Sequence, residues 1–331
     1  MILVSFGTRP EYIKLKPLMA EMKEEIPFKV LFTGQHTDLL SHIDGPITRL
    51  EIEDGSNRLD SIVSSMMNRD DIFEGIKAVI VQGDTTSAFA VALAAFHRKI
   101  KVIHLEAGLR TFNKYHPYPE EFNRRAISSL ADIHLAPTEI SAGNLKKENV
   151  DGKIFTVGNT VLDNLTHYFP VYTYRIVITM HRRENHHLIP EWFEKFDKLA
   201  KDNPKFEFVL PIHPNPNVYR HKGLLKHVKV VPAMPYAEFL PLMASAFMVI
   251  TDSGGIQEES SFFRKKSLVC RQKTERVEGM GEFAYMTDLD NIEENFYNVM
   301  RDHIPKADCP YGDGTASQQS VEILLEELHG E

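Results

Sequence analysis

Residues 252–259, with the sequence DSGGIQEE, combine the residue types of a phosphate-binding turn with three carboxylates. The apolar run 247–251 before them is typical of a buried parallel strand, and a helical pattern starts at Ile256. Two glycines let the backbone turn tightly, and the free amides of a helix start attract a phosphate. Glu259 would repel a phosphate but suits a ribose diol, so the segment favours a nucleotide sugar. The alternative is an ordinary strand-to-helix turn with acidic residues in its first helical turn.

A second charged turn, GTRPE at residues 7–11, follows the first predicted strand. Pro10 suits the first helical position, which places Arg9 at a helix start, where a guanidinium can bind a diphosphate bidentately. Lys14, one turn further along, adds a second positive charge. The alternative is a surface arginine at a helix entry. Neither GxGxxG nor GxxxxGK[ST] is present, so neither a dinucleotide fingerprint nor a P-loop is predicted.

Three carboxylates are candidates for proton transfer. The motifs QGDT (82–85) and HLEAG (104–108) each end a predicted strand, so we expect Asp84 and Glu106 to approach each other. Paired carboxylates raise each other's pKa, which suits them to proton transfer. Alternatively, Asp84 caps a helix. Glu120 lies in a proline-framed loop before a helical pattern, where a solvated first-turn acid is the alternative.

The histidines and cysteines do not indicate a metal centre or a cofactor. His181, in the segment MHRREN (180–185), can donate to a phosphate or to a sugar. The patterns HEXXH and GxSxG are absent, which argues against a zinc protease site and an acyl-transfer elbow. The two cysteines, Cys270 and Cys309, lack CxxC spacing and fit a reducing compartment.

Composition narrows the class of protein. The chain has 331 residues, of which 43% are hydrophobic, enough for two domains with full cores. A net charge of −8 argues against a nucleic-acid binder, which needs a basic face. No apolar run is long enough to span a membrane, and no signal peptide is recognised, so we expect a cytoplasmic protein.

Short apolar runs alternate with helical patterns, which predicts the α/β class with parallel sheets. Polar candidates follow the strand ends in both halves, where open α/β sheets bind ligands. We therefore predict two Rossmann-like domains, residues 1–168 and 172–316, with the active site in the cleft between them. The last helix, within 317–331, is expected to pack back on the first domain. The predicted strands are 2–6, 29–32, 78–81, 101–104, 133–136 and 154–157, then 175–179, 206–210, 228–231, 247–251, 267–270 and 283–286.

Ten motifs in a fixed order resemble the UDP-N-acetylglucosamine 2-epimerase family: GTRPE, TGQH, QGDT, HLEAGLRT, PEEFNR, VGNTVLD, HRREN, DSGGIQEE, TER and PYGDG. They extend from Gly7 to Gly314. The resemblance implies two Rossmann-like domains in a GT-B arrangement and a homodimer. It also implies interconversion of UDP-GlcNAc and UDP-ManNAc at C2, by elimination of UDP to 2-acetamidoglucal and its re-addition. From the residue patterns, no cofactor and no metal site are predicted.

The resemblance also assigns roles, residue by residue. It implies that Asp84, Glu106 and Glu120 are catalytic carboxylates and that His181 is an active-site histidine, without deciding which carboxylate is acid and which is base. The implied substrate-binding residues are Arg9 and Lys14 near the diphosphate, Phe239 near the uracil, Ser253, Gly254 and Gly255 in the diphosphate turn, Glu259 on the ribose, and Arg276.

A candidate second site for a UDP-GlcNAc activator involves Gln35, His36 and His213. The first two residues keep the start of the family motif, but Thr37 and Asp38 stand where the family usually has Arg and then Gln or Glu. Retention of the activator site is therefore left open.

Three alternatives to the non-hydrolysing epimerase remain at this point. A hydrolysing branch of the family releases ManNAc and UDP, but its motifs differ around QGDT and HLEAG. A GT-B glycosyltransferase shares the fold without needing the three carboxylates. A non-catalytic nucleotide-sugar binder has no use for the carboxylates either. The sequence favours the non-hydrolysing enzyme.

Overall fold

The computed structural model describes residues 1–35, 46–53 and 55–329. The chain forms two compact units. The first contains Met1–Asn164 together with Gly312–Glu331, and the second contains Leu165–Tyr311. These bounds differ by a few residues from the predicted domains 1–168 and 172–316.

The first unit is a parallel α/β unit whose sheet, over the described residues, has seven strands in the order β3-β2-β1-β4-β5-β6-β7. The chain leaves one half of the sheet after β3 and enters the other at β4, so the topological switch point lies between β1 and β4. The strands are β1 (Ile2–Phe6), β2 (Phe28–Phe32), β3 (Ile47–Arg49), β4 (Ala78–Gln82), β5 (Lys101–Leu105), β6 (Ile133–Ala136) and β7 (Lys153–Thr156). The helices are α1 (Arg9–Met22), α2 (Arg58–Met67), α3 (Thr86–His97), α4 (Glu120–Ser128), α5 (Glu139–Glu148) and, from the end of the chain, α11 (Ala316–His329).

The central strands of this unit are apolar because both of their faces are covered. Every residue of β1 and β4 is buried. Leu3 of β1 faces one core, and its neighbour Val4 faces the other. In this second core, Val321 and Leu324 of α11 belong to the same cluster as residues of α1.

The second unit is also parallel, and its strand order over the described residues is β10-β9-β8-β11-β12-β13. Its switch point lies between β8 and β11. Its core is rich in aromatic side chains, including Trp192, Phe196 and Phe208. The strands are β8 (Arg175–Thr179), β9 (Glu207–Ile212), β10 (Lys229–Pro232), β11 (Met248–Thr251), β12 (Ser267–Val269) and β13 (Ala284–Met286). The helices are α6 (Ile189–Asp202), α7 (Pro216–Tyr219), α8 (Tyr236–Ala244), α9 (Gly254–Phe262) and α10 (Ile292–Arg301).

The predicted class, α/β with two Rossmann-like domains and parallel sheets, is confirmed. Two details of the prediction are wrong. Strand β3 was not expected, because this short edge strand is mostly exposed and carries no apolar run. Helix α9 begins at Gly254 rather than Ile256, since both glycines already take part in its first turn.

Candidate active site

Glu106 is the centre of a buried polar cluster at the end of β5. The Nζ atom of Lys14 lies 2.6 Å from each of its carboxylate oxygens. Asn159 donates to Oε1 at 3.1 Å, and the Gln82 amide donates to Oε2. The structure thus joins two predicted residues, Lys14 and Glu106, in one ion pair. The contributions of Asn159 and Gln82 were missed, although both lie within the motifs that were recognised.

The backbone around this cluster has an uncommon conformation. Glu106 has a φ of +62°, which few residues other than glycine adopt, and Gly83 has a φ of +69°. His104 holds the carbonyl of Gly83 through its Nε2 atom at 2.8 Å. Burial lowers the pKa of His104 to about 3, so this ring is neutral and Nε2–H is the donor. A Cβ on Gly83 would lie 3.3 Å from Oε2 of Glu106, which shows that the carboxylate rests against the turn that carries Asp84.

Asp84 is paired with a cation of its own. Arg124 of α4 donates from Nη2 to its carboxylate, and Asn123 donates to its backbone carbonyl at 3.0 Å. Helix α3 is capped by Thr85, whose hydroxyl accepts from the Ala88 amide, so the alternative that Asp84 caps a helix is wrong. The predicted coupling of Asp84 and Glu106 stays a prediction. In the structure each carboxylate has a cation of its own, Arg124 for Asp84 and Lys14 for Glu106.

Glu120 is the first residue of α4, and cis peptide bonds precede Pro117 and Pro119 in the loop before it. It stands one turn before Arg124, so the two side chains share a face of the helix. That arrangement places Glu120 on the side of α4 that holds Asp84. The adjacent Glu121 has a different role: it is fully buried and accepts from two backbone amides of the preceding loop.

The turn after β1 contains a buried carboxylate that was not predicted as a site residue. Glu11 accepts from the amide and the hydroxyl of Thr8, both at 2.7 Å, and from the Gly7 amide at 3.1 Å. Its other oxygen accepts from the Thr85 hydroxyl at 2.7 Å. Burial raises the pKa of Glu11 from 4.5 to about 7, and these hydrogen bonds oppose the shift. Glu11 therefore joins the turn after β1 to the turn after β4, on the two sides of the switch point.

Two other residues of the first unit were predicted to bind the substrate or an activator. Arg9 is exposed at the first residue of α1, beside the switch point. The amide oxygen of Gln35 accepts from the backbone and the hydroxyl of Ser87, so it holds the start of α3. The other predicted activator residue of this unit, His36, lies outside the described residues.

In the second unit, His181 lies just beyond β8 and contacts Asp252, the residue after β11. The carboxylate of Asp252 is fully buried and accepts from the His181 amide at 3.0 Å and from the Arg182 amide at 2.8 Å. The Nδ1 atom of His181 lies 3.5 Å from Asp252 Oδ1. Burial lowers the pKa of His181, and the charge of Asp252 opposes the shift. The ring of His213 stacks on His181 with a centroid distance of 5.5 Å, which places the predicted activator residue beside the predicted catalytic one.

The predicted diphosphate turn begins α9, where Ser253 is the N-cap residue. Its Gly254 is packed against Arg276, because an added Cβ would lie 2.8 Å from the guanidinium carbon. Arg276 is buried and donates to Glu258 at 2.7 Å and also to Glu275. The structure thus places Arg276 behind the turn, in contact with two acidic side chains that the sequence did not single out.

The predicted nucleoside residues lie on two helices of the same unit. Glu259, on α9, is 5% exposed and accepts from the Tyr236 hydroxyl at 2.9 Å. Phe239 lies one turn beyond Tyr236 on α8 and is buried. Tyr236 was not predicted, because a tyrosine at a helix start has no sequence signature of its own.

Over the residues that the structure describes, no group of three or more His, Cys, Asp or Glu side chains could hold a metal ion. Within the same residues, no helix has both the length and the apolar character needed to cross a membrane.

Comparison with known proteins places the chain among sugar-nucleotide enzymes. The model of a family described as UDP-N-acetylglucosamine 2-epimerase matches residues 20–325. The UDP-N-acetylglucosamine 2-epimerase of Neisseria meningitidis serogroup A is 38% identical over 98% of this chain and 99% of that protein. A crystal structure of the UDP-GlcNAc 2-epimerase from Neisseria meningitidis, bound to UDP-GlcNAc, has a TM-score of 0.88 at 35% identity and covers 98% of this chain and 99% of that one.

A structure of S. aureus MnaA with UDP also has a TM-score of 0.88, at 30% identity, and covers 99% of this chain and 96% of that one. Because these likenesses extend over nearly the whole of both chains, the GT-B class of the fold is confirmed.

Proposed function

Because the chain belongs to the UDP-N-acetylglucosamine 2-epimerase family, we propose that it interconverts UDP-GlcNAc and UDP-ManNAc without hydrolysis. The observation that carries the proposal is the position of the predicted residues at the two switch points. Arg9 and Asp84 flank the one between β1 and β4, and His181 and Ser253 flank the one between β8 and β11. Open α/β sheets bind their ligands at such points.

The reaction we propose begins with loss of UDP. The proton at C2 of the sugar is not acidic, since no carbonyl activates it. A carboxylate removes this proton as the bond between C1 and the phosphate oxygen breaks, and UDP leaves with that electron pair. A C1–C2 double bond remains in 2-acetamidoglucal. UDP then adds back to C1 while a proton is delivered to the opposite face of C2, which inverts that centre.

The proton transfers are assigned to the first unit. Two opposite faces of C2 require two proton carriers, and Asp84, Glu106 and Glu120 are the candidates. Lys14 pairs with Glu106, and Arg124 pairs with Asp84, so a cation holds each of these two carboxylates in place.

The nucleotide is assigned mainly to the second unit. The amides at the start of α9, from Ser253 to Gly255, suit the diphosphate that becomes the leaving group. Glu259 is proposed to accept from the ribose, and Phe239 to pack on the uracil. His181 can donate to the diphosphate as a neutral ring. Arg9, an exposed cation of the first unit, stays a predicted diphosphate ligand.

Proton NMR of the full-length chain with UDP-GlcNAc in deuterated water tests the proposal. The expected product is UDP-ManNAc with deuterium at C2, because the proton carrier on the opposite face of C2 has already exchanged its proton with the deuterated solvent. Free ManNAc and UDP would instead assign the chain to the hydrolysing branch. UDP-GlcNAc recovered without deuterium would contradict the proposal, provided that active relatives run in parallel convert it.

Variants separate chemistry from binding. Asp84→Asn and Glu106→Gln keep the side-chain size and remove the proton carrier, so each is expected to lower turnover far more than UDP affinity. Glu24→Gln, at an exposed position of the same unit, is the matched control. Turnover near that of the unmodified chain would remove the corresponding carboxylate from the mechanism. The predicted homodimer stays a prediction, which sedimentation equilibrium tests.

A further inference from the structure

Tyr236 holds the carboxylate that we assign to the ribose. Its hydroxyl donates to Oε1 of Glu259 at 2.9 Å, across 23 residues of sequence. Glu259 is 5% exposed and Tyr236 is half-buried, so water competes weakly for this hydrogen bond. Hydrogen bonds to an ionised acceptor are shorter and stronger than bonds between neutral groups. The phenol therefore restricts where the Glu259 carboxylate can point.

The phenol is a permanent donor. Burial raises the pKa of Tyr236 above its usual value, and the negative charge of Glu259 raises it further. The hydroxyl therefore keeps its proton at neutral pH. A carboxylate can accept about four hydrogen bonds, so one bond from the phenol is compatible with the binding of a diol.

Helix α8 carries both Tyr236, which contacts Glu259, and Phe239, the residue proposed for the base of the nucleotide. Tyr236 is the first residue of the helix, and Phe239 follows three positions later, on the same face. The carbonyl of Pro235 accepts from the Phe239 amide at 3.1 Å, which fixes the first turn. One helical turn thus presents both the residue proposed for the uracil and the residue that orients the ribose acid.

We propose that Tyr236 is a positioning residue that sets the recognition of the ribose hydroxyls by orienting Glu259. This inference rests on the proposed function, which assigns Glu259 to the ribose. A site built to hydrogen-bond a substrate hydroxyl discriminates strongly against an analogue that lacks it, because the polar group of the site is then left unpaired. Without the Tyr236 hydroxyl, the Glu259 carboxylate must be ordered by the ligand itself. Part of the discrimination in favour of a nucleotide with ribose hydroxyls is then lost.

Calorimetry with UDP and with 2′,3′-dideoxy-UDP tests the inference on the full-length chain. Tyr236→Phe removes only the hydroxyl and is expected to weaken UDP binding about tenfold, which corresponds to about 1.4 kcal/mol. Its binding of the dideoxy nucleotide should change less than about twofold, since that ligand makes no use of Glu259. Tyr219→Phe is the matched control, because it also removes a tyrosine hydroxyl that takes part in a hydrogen bond, here with Lys222 at 2.7 Å.

The outcomes distinguish this inference from the function on which it rests. Equal weakening for both nucleotides would show a general structural role and overturn the inference. Unchanged UDP binding in Tyr236→Phe, together with weaker binding in Glu259→Gln, would overturn the inference alone and leave the ribose assignment in place. Unchanged UDP binding in Glu259→Gln would overturn the ribose assignment and the inference with it.

Discussion

Replacing Glu11 with glutamine is expected to change how the stability of the fold depends on pH. The Glu11 carboxylate is 2% exposed and accepts four hydrogen bonds, from the turn after β1 and from Thr85. Burial raises its pKa from 4.5 to about 7. Between these two values the folded protein holds a proton that the unfolded chain releases, and Glu11→Gln removes that proton binding.

The magnitude follows from the shift. The difference between about 7 and 4.5 is about 2.5 pKa units, or about 3.4 kcal/mol at about 1.36 kcal/mol per unit. Because the folded-state pKa is raised, this contribution is fully present below pH 4.5 and is lost as the pH rises through about 7. Between about pH 5 and pH 8, the linkage relation gives a loss of about 2.5 kcal/mol.

Urea denaturation followed by circular dichroism, at several pH values from about 5 to 8, measures the effect. The free energy of unfolding of the unmodified chain, minus that of Glu11→Gln, should fall by about 2.5 kcal/mol over this range. Taking the difference cancels the titration of the other groups. Glu24→Gln, at an exposed position, serves as the control. The free energy of unfolding of the unmodified chain, minus that of Glu24→Gln, should not vary with pH.

A difference that does not vary with pH would refute the reasoning, because Glu11 would then have the same pKa in the folded and unfolded states. A difference that rises with pH would mean that the four hydrogen bonds outweigh burial and stabilise the ionised form. Either result would also remove the physical basis for treating Glu11 as a group that titrates near neutrality.

Two other substitutions test the packing around the site, each by urea denaturation. Lys14→Met leaves Glu106 buried without its cation. It is expected to cost about 3 kcal/mol of stability, the low end of the range for a broken buried ion pair. A cost under about 1 kcal/mol would contradict the pairing. Gly254→Ala forces a Cβ against Arg276 and should cost about 1–3 kcal/mol. Gly255→Ala, where a Cβ meets nothing within 4 Å, is its control, and equal costs would contradict the packing.

Much of the fold could be predicted from local runs of residues. Strands β1, β6 and β8 have the predicted bounds, and most others differ by one or two residues, because a parallel strand covered on both faces reads as a continuous apolar run. The edge strand β3 has no such run and was missed. The alternative that Asp84 caps α3 is wrong by one residue, since Thr85, an equally good capping residue, is the N-cap.

By itself the sequence determined the order of the elements, the parallel α/β class and the side chains that follow each strand, because each of these depends on residues close together in the chain. Only the tertiary structure decided which polar groups meet. Lys14 and Glu106 are 92 residues apart, Asp84 and Arg124 are 40 apart, and Glu11 and Thr85 are 74 apart. These partners are selected when the sheets and helices pack, since a buried charge must find a partner among whatever groups the fold brings within reach.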